Sequence, residues 1–234
     1  MASNKYCVIM AGGIGSRFWP KSRQSKPKQF LDILGTGKSF IRMTYERFEK
    51  LAPAENFLVV TNARYKDLVL EQIPELGPEQ VLCEPVGRNT APCICYAAYG
   101  LQKRDPGAKM IVTPADHLIL NEDDFRAIIA ECLDFASEHD ALMTVGIKPT
   151  RPDTGYGYIQ VSDDHAISKV KCFTEKPDIE LARVFLQSGE FYWNSGIFVW
   201  KVRSIVEAFE KSLPEHHALF SGVMRAIGTD AERN

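Results

Sequence analysis

Residues 11–30, AGGIGSRFWPKSRQSKPKQF, combine glycines and cations at a spacing that suits a polyphosphate. They directly follow an apolar run, YCVIM (Tyr6–Met10). Gly12, Gly13 and Gly15 permit a tight turn and a close approach, so backbone N–H groups can point at phosphate oxygens. The Rossmann fingerprint needs a third glycine where this chain has Phe18, and the G-K-[ST] ending of a Walker A loop is absent. Charge is the stronger clue. Residues 1–31 contain no Asp or Glu and six cations: Lys5, Arg17, Lys21, Arg23, Lys26 and Lys28. A solvated basic loop would carry the same charge, but glycines at the end of a strand favour phosphate.

The elements that must position this loop follow a rhythm. FLVVT (Phe57–Thr61), MIVTP (Met110–Pro114) and ALMTVGI (Ala141–Ile147) are apolar runs like the first. Such runs read as strands buried on both faces of a parallel sheet. Between them Ser39–Leu51, Tyr65–Ile73 and Asp123–His139 carry apolar residues near helical period. Thr90 can cap a helix through APCICYAAYGLQKR, with Pro92 in its first turn. The alternation predicts an α/β fold with a doubly wound, mostly parallel sheet. From residue 150 the texture changes to alternating β residues and turns, which predicts a β-rich insertion in the second half. A short helix at IELARVFLQSG, a strand at NSGIFVW and a helix at VRSIVEAFEKSL follow. In such folds the ligand lies at the carboxyl ends of the parallel strands.

Composition narrows the partners. The 234 residues carry a net charge of −2, which argues against a protein that coats nucleic acid. No apolar run reaches the roughly 18–20 residues of a membrane span, and the N-terminus lacks a secretory layout, so the expected location is cytoplasmic. The six cysteines lack zinc-site spacing, Cys93 and Cys95 forming only C-x-C, and read as small buried apolar residues.

AGGxGxRxWPxSxxxxPKQF resembles the signature of sugar-phosphate nucleotidylyltransferases, specifically of mannose-1-phosphate guanylyltransferases (GDP-mannose pyrophosphorylases). Further matching motifs follow in order: EPVGRNTAP (84–92), TPADH (113–117), TGYGYI (154–159), FTEKP (173–177) and WNSGIF (193–198). The resemblance implies attack of mannose 1-phosphate on the α-phosphorus of GTP, giving GDP-mannose and pyrophosphate, with Mg²⁺ and without an enzyme nucleophile. It implies that Arg17 and Lys28 bind the triphosphate and that Ala11, Gly12, Gly13 and Gly15 shape the nucleotide loop. Asp116, at the expected carboxyl end of a strand, would be the Mg²⁺ ligand; the alternative is a helix N-cap, although the next helix starts nearer Asn121. His117 reads as structural, since the attacking phosphate is already ionised.

Glu84 would read the base. Guanine presents N1–H and a 2-amino group on one edge, and a carboxylate can accept from both. The alternative is a plain salt bridge from Glu84 to Arg88. Gly87 and Asn89 complete the implied nucleotide set. In the sugar half, Gly157 would lend its backbone, Glu175 would accept from a hydroxyl, Lys176 would hold the sugar phosphate, and Asn194 would bond a hydroxyl. Trp193 is expected to pack beneath the pocket.

The resemblance also implies a longer parent enzyme, with residues 1–234 as a catalytic domain truncated at its C-terminus. It would lack a second metal-binding aspartate and a β-helix domain used in homodimer contacts. Two other readings stay open: a nucleotidylyltransferase for another hexose 1-phosphate, and a non-catalytic regulatory relative that keeps the fold.

Overall fold

Tyr6–Met10 lies in the first strand, β1 (Lys5–Met10), in a computed structural model that describes residues 4–13, 15, 18–84, 90–163 and 165–223. Tyr6, Cys7, Val8 and Ile9 are all buried, as a central strand requires. β1 pairs in parallel with β2 (Phe57–Asn62) on one side and β4 (Lys109–Pro114) on the other, and β2 pairs in parallel with β3 (Val81–Glu84). The registers Met10↔Val60, Met10↔Pro114 and Asn62↔Glu84 bring the carboxyl ends of all four strands into line. These strands belong to a first compact unit, Met1–Met143 with Phe198–Asn234. Beyond β4 the end of β8 (Phe191–Lys201) adds an antiparallel edge, with Lys109↔Lys201 and Val112↔Phe198.

Helices cover this sheet because alternate strand residues need apolar cover on each face. Tyr6, Val8, Leu58, Val60, Met110 and Val112 pack with α3 (Thr90–Arg104) and α6 (Val202–Ser212). Each fully buried side chain of this size contributes about 1.5–3 kcal/mol. Against the other face lie α1 (Phe40–Phe48), α2 (Lys66–Gln72) and α4 (Glu122–Glu138), where Tyr45 of α1 meets Phe57 at 4.6 Å. Phe48 meets Phe125 of α4 edge-on at 5.5 Å. A further helix, α7 (Pro214–Val223), docks on α3 and α6.

The second unit, Thr144–Ile197, is the expected β-rich insertion. Within it β6 (Tyr158–Val161) lies between β7 (Val170–Thr174) and the start of β8, all antiparallel. Burial alternates along β8, so one face is covered and the other is not. The covered face packs Tyr158, Phe191 and Trp193 on Ala182 and Phe185 of α5 (Ile179–Ser188), with Phe185 and Phe191 stacked at 3.8 Å.

Several expectations need correction. ALMTVGI is not a strand buried on both faces. It yields β5 (Met143–Ile147), only half-buried, which pairs with β8 and not with the parallel set. The parallel strand that the apolar pattern missed is β3, whose four residues are too few to stand out and are mostly half-buried. Thr90 is the first residue of α3 rather than its cap. Cys7, Cys93, Cys95 and Cys132 are buried as expected, but Cys83 is half-buried and Cys172 exposed; all six are free thiols.

Candidate functional site

The glycine loop leaves the end of β1 at Ala11, whose N–H donates to the Val60 carbonyl (2.8 Å). The Ala11 carbonyl accepts from Thr61 Oγ1 (2.9 Å) and Gln29 Nε2 (2.8 Å). Gln29 Nε2 also donates to the Gly13 carbonyl (2.9 Å). With 2% of its surface exposed, Gln29 is an internal prop that fixes the direction of the Ala11 and Gly13 carbonyls. Gly15 has φ +62°, and a Cβ there would sit 2.9 Å from Lys28 Cβ and Cγ and from Ser22 Oγ. Only glycine meets both demands. Tyr65 Oη donates to the Gln24 carbonyl (2.8 Å) and ties down the returning strand of the loop.

The Lys28 stem thus lies against Gly15, and its Nζ pairs with Asp116 Oδ2 at 2.5 Å while standing 5.3 Å from the centre of the Phe18 ring. Asp116 follows β4 in a turn, partly exposed. It is not a cap: α4 starts at Glu122, and Asn121 caps it by accepting from the Asp124 N–H (3.3 Å). The turn is anchored from below. Ala115 N–H donates to the Met10 carbonyl (3.1 Å), Thr44 Oγ1 to the Ala115 carbonyl (3.3 Å), and Arg47 Nη2 to the His117 carbonyl (3.4 Å). Burial holds the His117 imidazole below its usual pKa against the opposing pull of Asp116, which favours its neutral form.

Glu84 ends β3. Its Oε2 lies 3.7 Å from the position a Cβ on Gly12 would take, which brings the carboxylate up to the loop. Burial raises the Glu84 pKa, and no described residue pairs with it. Arg17, Arg88, Gly87 and Asn89 lie outside the described residues.

The expected sugar residues come together in the second unit. A Cβ on Gly157 would lie 3.0 Å from Glu175 Oε2 and 3.6 Å from Asn194 Cβ. The Asn194 N–H donates to the Gly157 carbonyl (2.8 Å), and its Oδ1 accepts from the Gly196 N–H (2.9 Å) and Thr144 Oγ1 (3.5 Å). Glu175 and Lys176 are exposed and paired with each other (2.6 Å). Lys176 has φ +41°, a left-handed conformation that a non-glycine residue adopts at a cost. Trp193 is buried in the core of this unit, with Tyr156 at 5.1 Å and the Arg151 guanidinium over its ring.

From the sequence, Gln29 stands only as part of the PKQF motif, and Thr61, Thr44, Arg47 and Thr144 carry no site role. Arg47 had a signal, being a charge seven residues after Phe40 and three after Thr44, on the apolar face of α1. Asp116 is the one carboxylate at its turn that could take a metal, and the described residues contain no group of three or more His, Cys, Asp or Glu suited to one. A single hard oxygen ligand fits Mg²⁺, which keeps water and phosphate oxygens as its other ligands. No helix among the described residues is long and apolar enough to cross a membrane.

Comparison with known proteins gives the family. The nucleotidyl transferase family model matches residues 6–232. The xanthan biosynthesis protein XanB of Xanthomonas campestris pv. campestris is 41% identical over 209 residues, covering 88% of this chain and 44% of that protein. The mannose-1-phosphate guanylyltransferase of Escherichia coli K12 is 38% identical over 241 residues, covering 98% and 50%. The chain therefore spans about half the length of the curated relatives it matches. A crystal structure described as a mannose-1-phosphate geranyltransferase from Thermus thermophilus superposes with a TM-score of 0.88 at 30% identity, over 99% of this chain and 67% of that one. By fold, by motif order and by these matches, the chain belongs to the nucleotidyl transferase family.

Proposed function

We propose that the protein containing this chain is a mannose-1-phosphate guanylyltransferase. A phosphate oxygen of mannose 1-phosphate attacks the α-phosphorus of GTP, the bond from that phosphorus to the bridging oxygen breaks, and pyrophosphate leaves with its electron pair. The observation that supports this most is the gathering of the glycine loop, Lys28, Asp116 and Glu84 at the carboxyl ends of β1, β3 and β4. Lys28 and Arg17 would hold the leaving pyrophosphate, where a point charge and a forked guanidinium complement each other. Ala11, Gly12, Gly13 and Gly15 would offer backbone N–H groups to the triphosphate. Gly87 and Asn89 would complete the nucleotide contacts, and Glu84 would accept from guanine.

Asp116 would hold Mg²⁺, which when bound would neutralise phosphate charge, with the Lys28 ammonium beside the same carboxylate. In the second unit Gly157, Glu175 and Asn194 would hold the sugar hydroxyls, and Lys176 the sugar phosphate. Alignment and charge neutralisation then carry the rate without a covalent intermediate. We further propose a cytoplasmic enzyme, a homodimer in its full-length form, with residues 1–234 within its catalytic domain. The test is turnover of each nucleoside triphosphate with mannose, glucose and fucose 1-phosphates by the full-length protein. Preference for GTP with mannose 1-phosphate is expected; preference for another hexose would support the alternative transferase, and no turnover the regulatory relative.

A further inference from the structure

We infer that Thr44 and Arg47 of α1 are positioning residues that set where the Asp116 carboxylate stands for phosphate chemistry. The inference rests on the metal-binding reading of Asp116 above. The carbonyls on either side of Asp116 are both held from the same helix face, Ala115 by the Thr44 hydroxyl (3.3 Å) and His117 by Arg47 Nη2 (3.4 Å). The Ala115 N–H is held in turn by the Met10 carbonyl at the end of β1 (3.1 Å). The backbone around Asp116 is thereby fixed on both sides, and its side chain is left to reach Lys28.

Arg47 is a costly way to do this. Only 1% of its surface is exposed, and burial pushes its pKa down against the support of Glu122. Its Nε pairs with Glu122 Oε1 at 3.2 Å, and Arg126 holds the other Glu122 oxygen at 3.1 Å. An apolar side chain of similar volume would fill the same space without the desolvation cost, so a buried ion pair is weak evidence for stability. What the guanidinium adds is geometry. Its planar fork reaches two acceptors on different elements at once, the Glu122 carboxylate at the start of α4 and the His117 carbonyl in the turn. A lysine ammonium is a single point and cannot span them in the same way.

The experiment compares Thr44→Val, Arg47→Lys and Asp116→Asn in the full-length protein. Mn²⁺ binding in the presence of GTP is read by electron paramagnetic resonance, and melting temperature in parallel. Half-saturating Mg²⁺ and the KM for mannose 1-phosphate are read as well. Thr44→Val and Arg47→Lys should weaken Mn²⁺ binding roughly tenfold, as loss of a ligand's supporting contacts does elsewhere. Half-saturating Mg²⁺ should rise by the same factor with the KM for mannose 1-phosphate unchanged. Thr44→Val carries the test if Arg47→Lys fails to fold. Variants that melt earlier yet bind Mn²⁺ as the wild type does would overturn the inference alone. Wild-type Mn²⁺ binding by Asp116→Asn would overturn the metal reading of Asp116, and the inference with it.

Discussion

Gly15 and Lys28 touch so closely that one added carbon on the glycine would lie 2.9 Å from two carbons of the lysine stem. The cation is thus aimed by the backbone of the loop it serves. Gly15→Ala forces a left-handed residue and displaces that stem. It is expected to cost about 1–3 kcal/mol of stability and to raise the KM for GTP more than that for mannose 1-phosphate. Urea denaturation together with steady-state kinetics checks both halves.

Gly13 offers the contrast. A Cβ there meets nothing within 4 Å among the described residues, and its φ is not left-handed. Gly13→Ala should therefore fold as well as the wild type, or gain up to about 1 kcal/mol by restricting the unfolded chain. If the triphosphate passes over this backbone, the same methyl will impair GTP use. A melting curve beside GTP kinetics separates the two effects, and unchanged kinetics would move the nucleotide away from Gly13.

Glu84 carries a charge that burial disfavours, so its folded pKa is raised. As pH rises from its unfolded to its folded pKa, the folded state holds more proton than the unfolded one and stability falls. Glu84→Gln should abolish that slope and hold or raise the melting temperature at neutral pH. It should also erode the preference for GTP over inosine triphosphate, which lacks the 2-amino group. Wild-type discrimination in the variant would show that another group reads the base.

Arg17→Ala and Lys28→Ala should each lower kcat/KM for GTP by roughly ten- to a hundredfold, the loss of a charge-assisted contact. For Lys28 the loss also leaves Asp116 without its partner. Kinetics across Mg²⁺ concentrations should show Lys28→Ala half-saturating at lower Mg²⁺ than the wild type, since the freed carboxylate has one competitor fewer.

The parallel core was legible because β1, β2 and β4 are continuous apolar runs, a pattern that only double-sided burial demands. β5 misled for the same reason in reverse: its residues are apolar enough for a core strand, but it pairs with β8 in an edge-like setting. Within the site, glycines and charges announced themselves by type. Gln29 did not, because an amide donating to two carbonyls 16 and 18 residues away leaves no local pattern. Thr44 shares that difficulty, its acceptor lying 71 residues on, while the misplaced charge of Arg47 marks the residue but not its acceptor, 70 residues on.

The outer edge of β4 has a history as well as a place. Its partner residues in β8 begin at Phe198, roughly eighty residues after β4 ends. On a ribosome adding about 5–20 residues per second, that edge stays unpaired for several seconds while Thr144–Ile197 emerges. The insertion therefore lengthens the interval in which a nascent chain can pair with the wrong neighbour. Yield on expression should depend on how fast residues 144–197 are translated and folded, even where their sequence is unchanged.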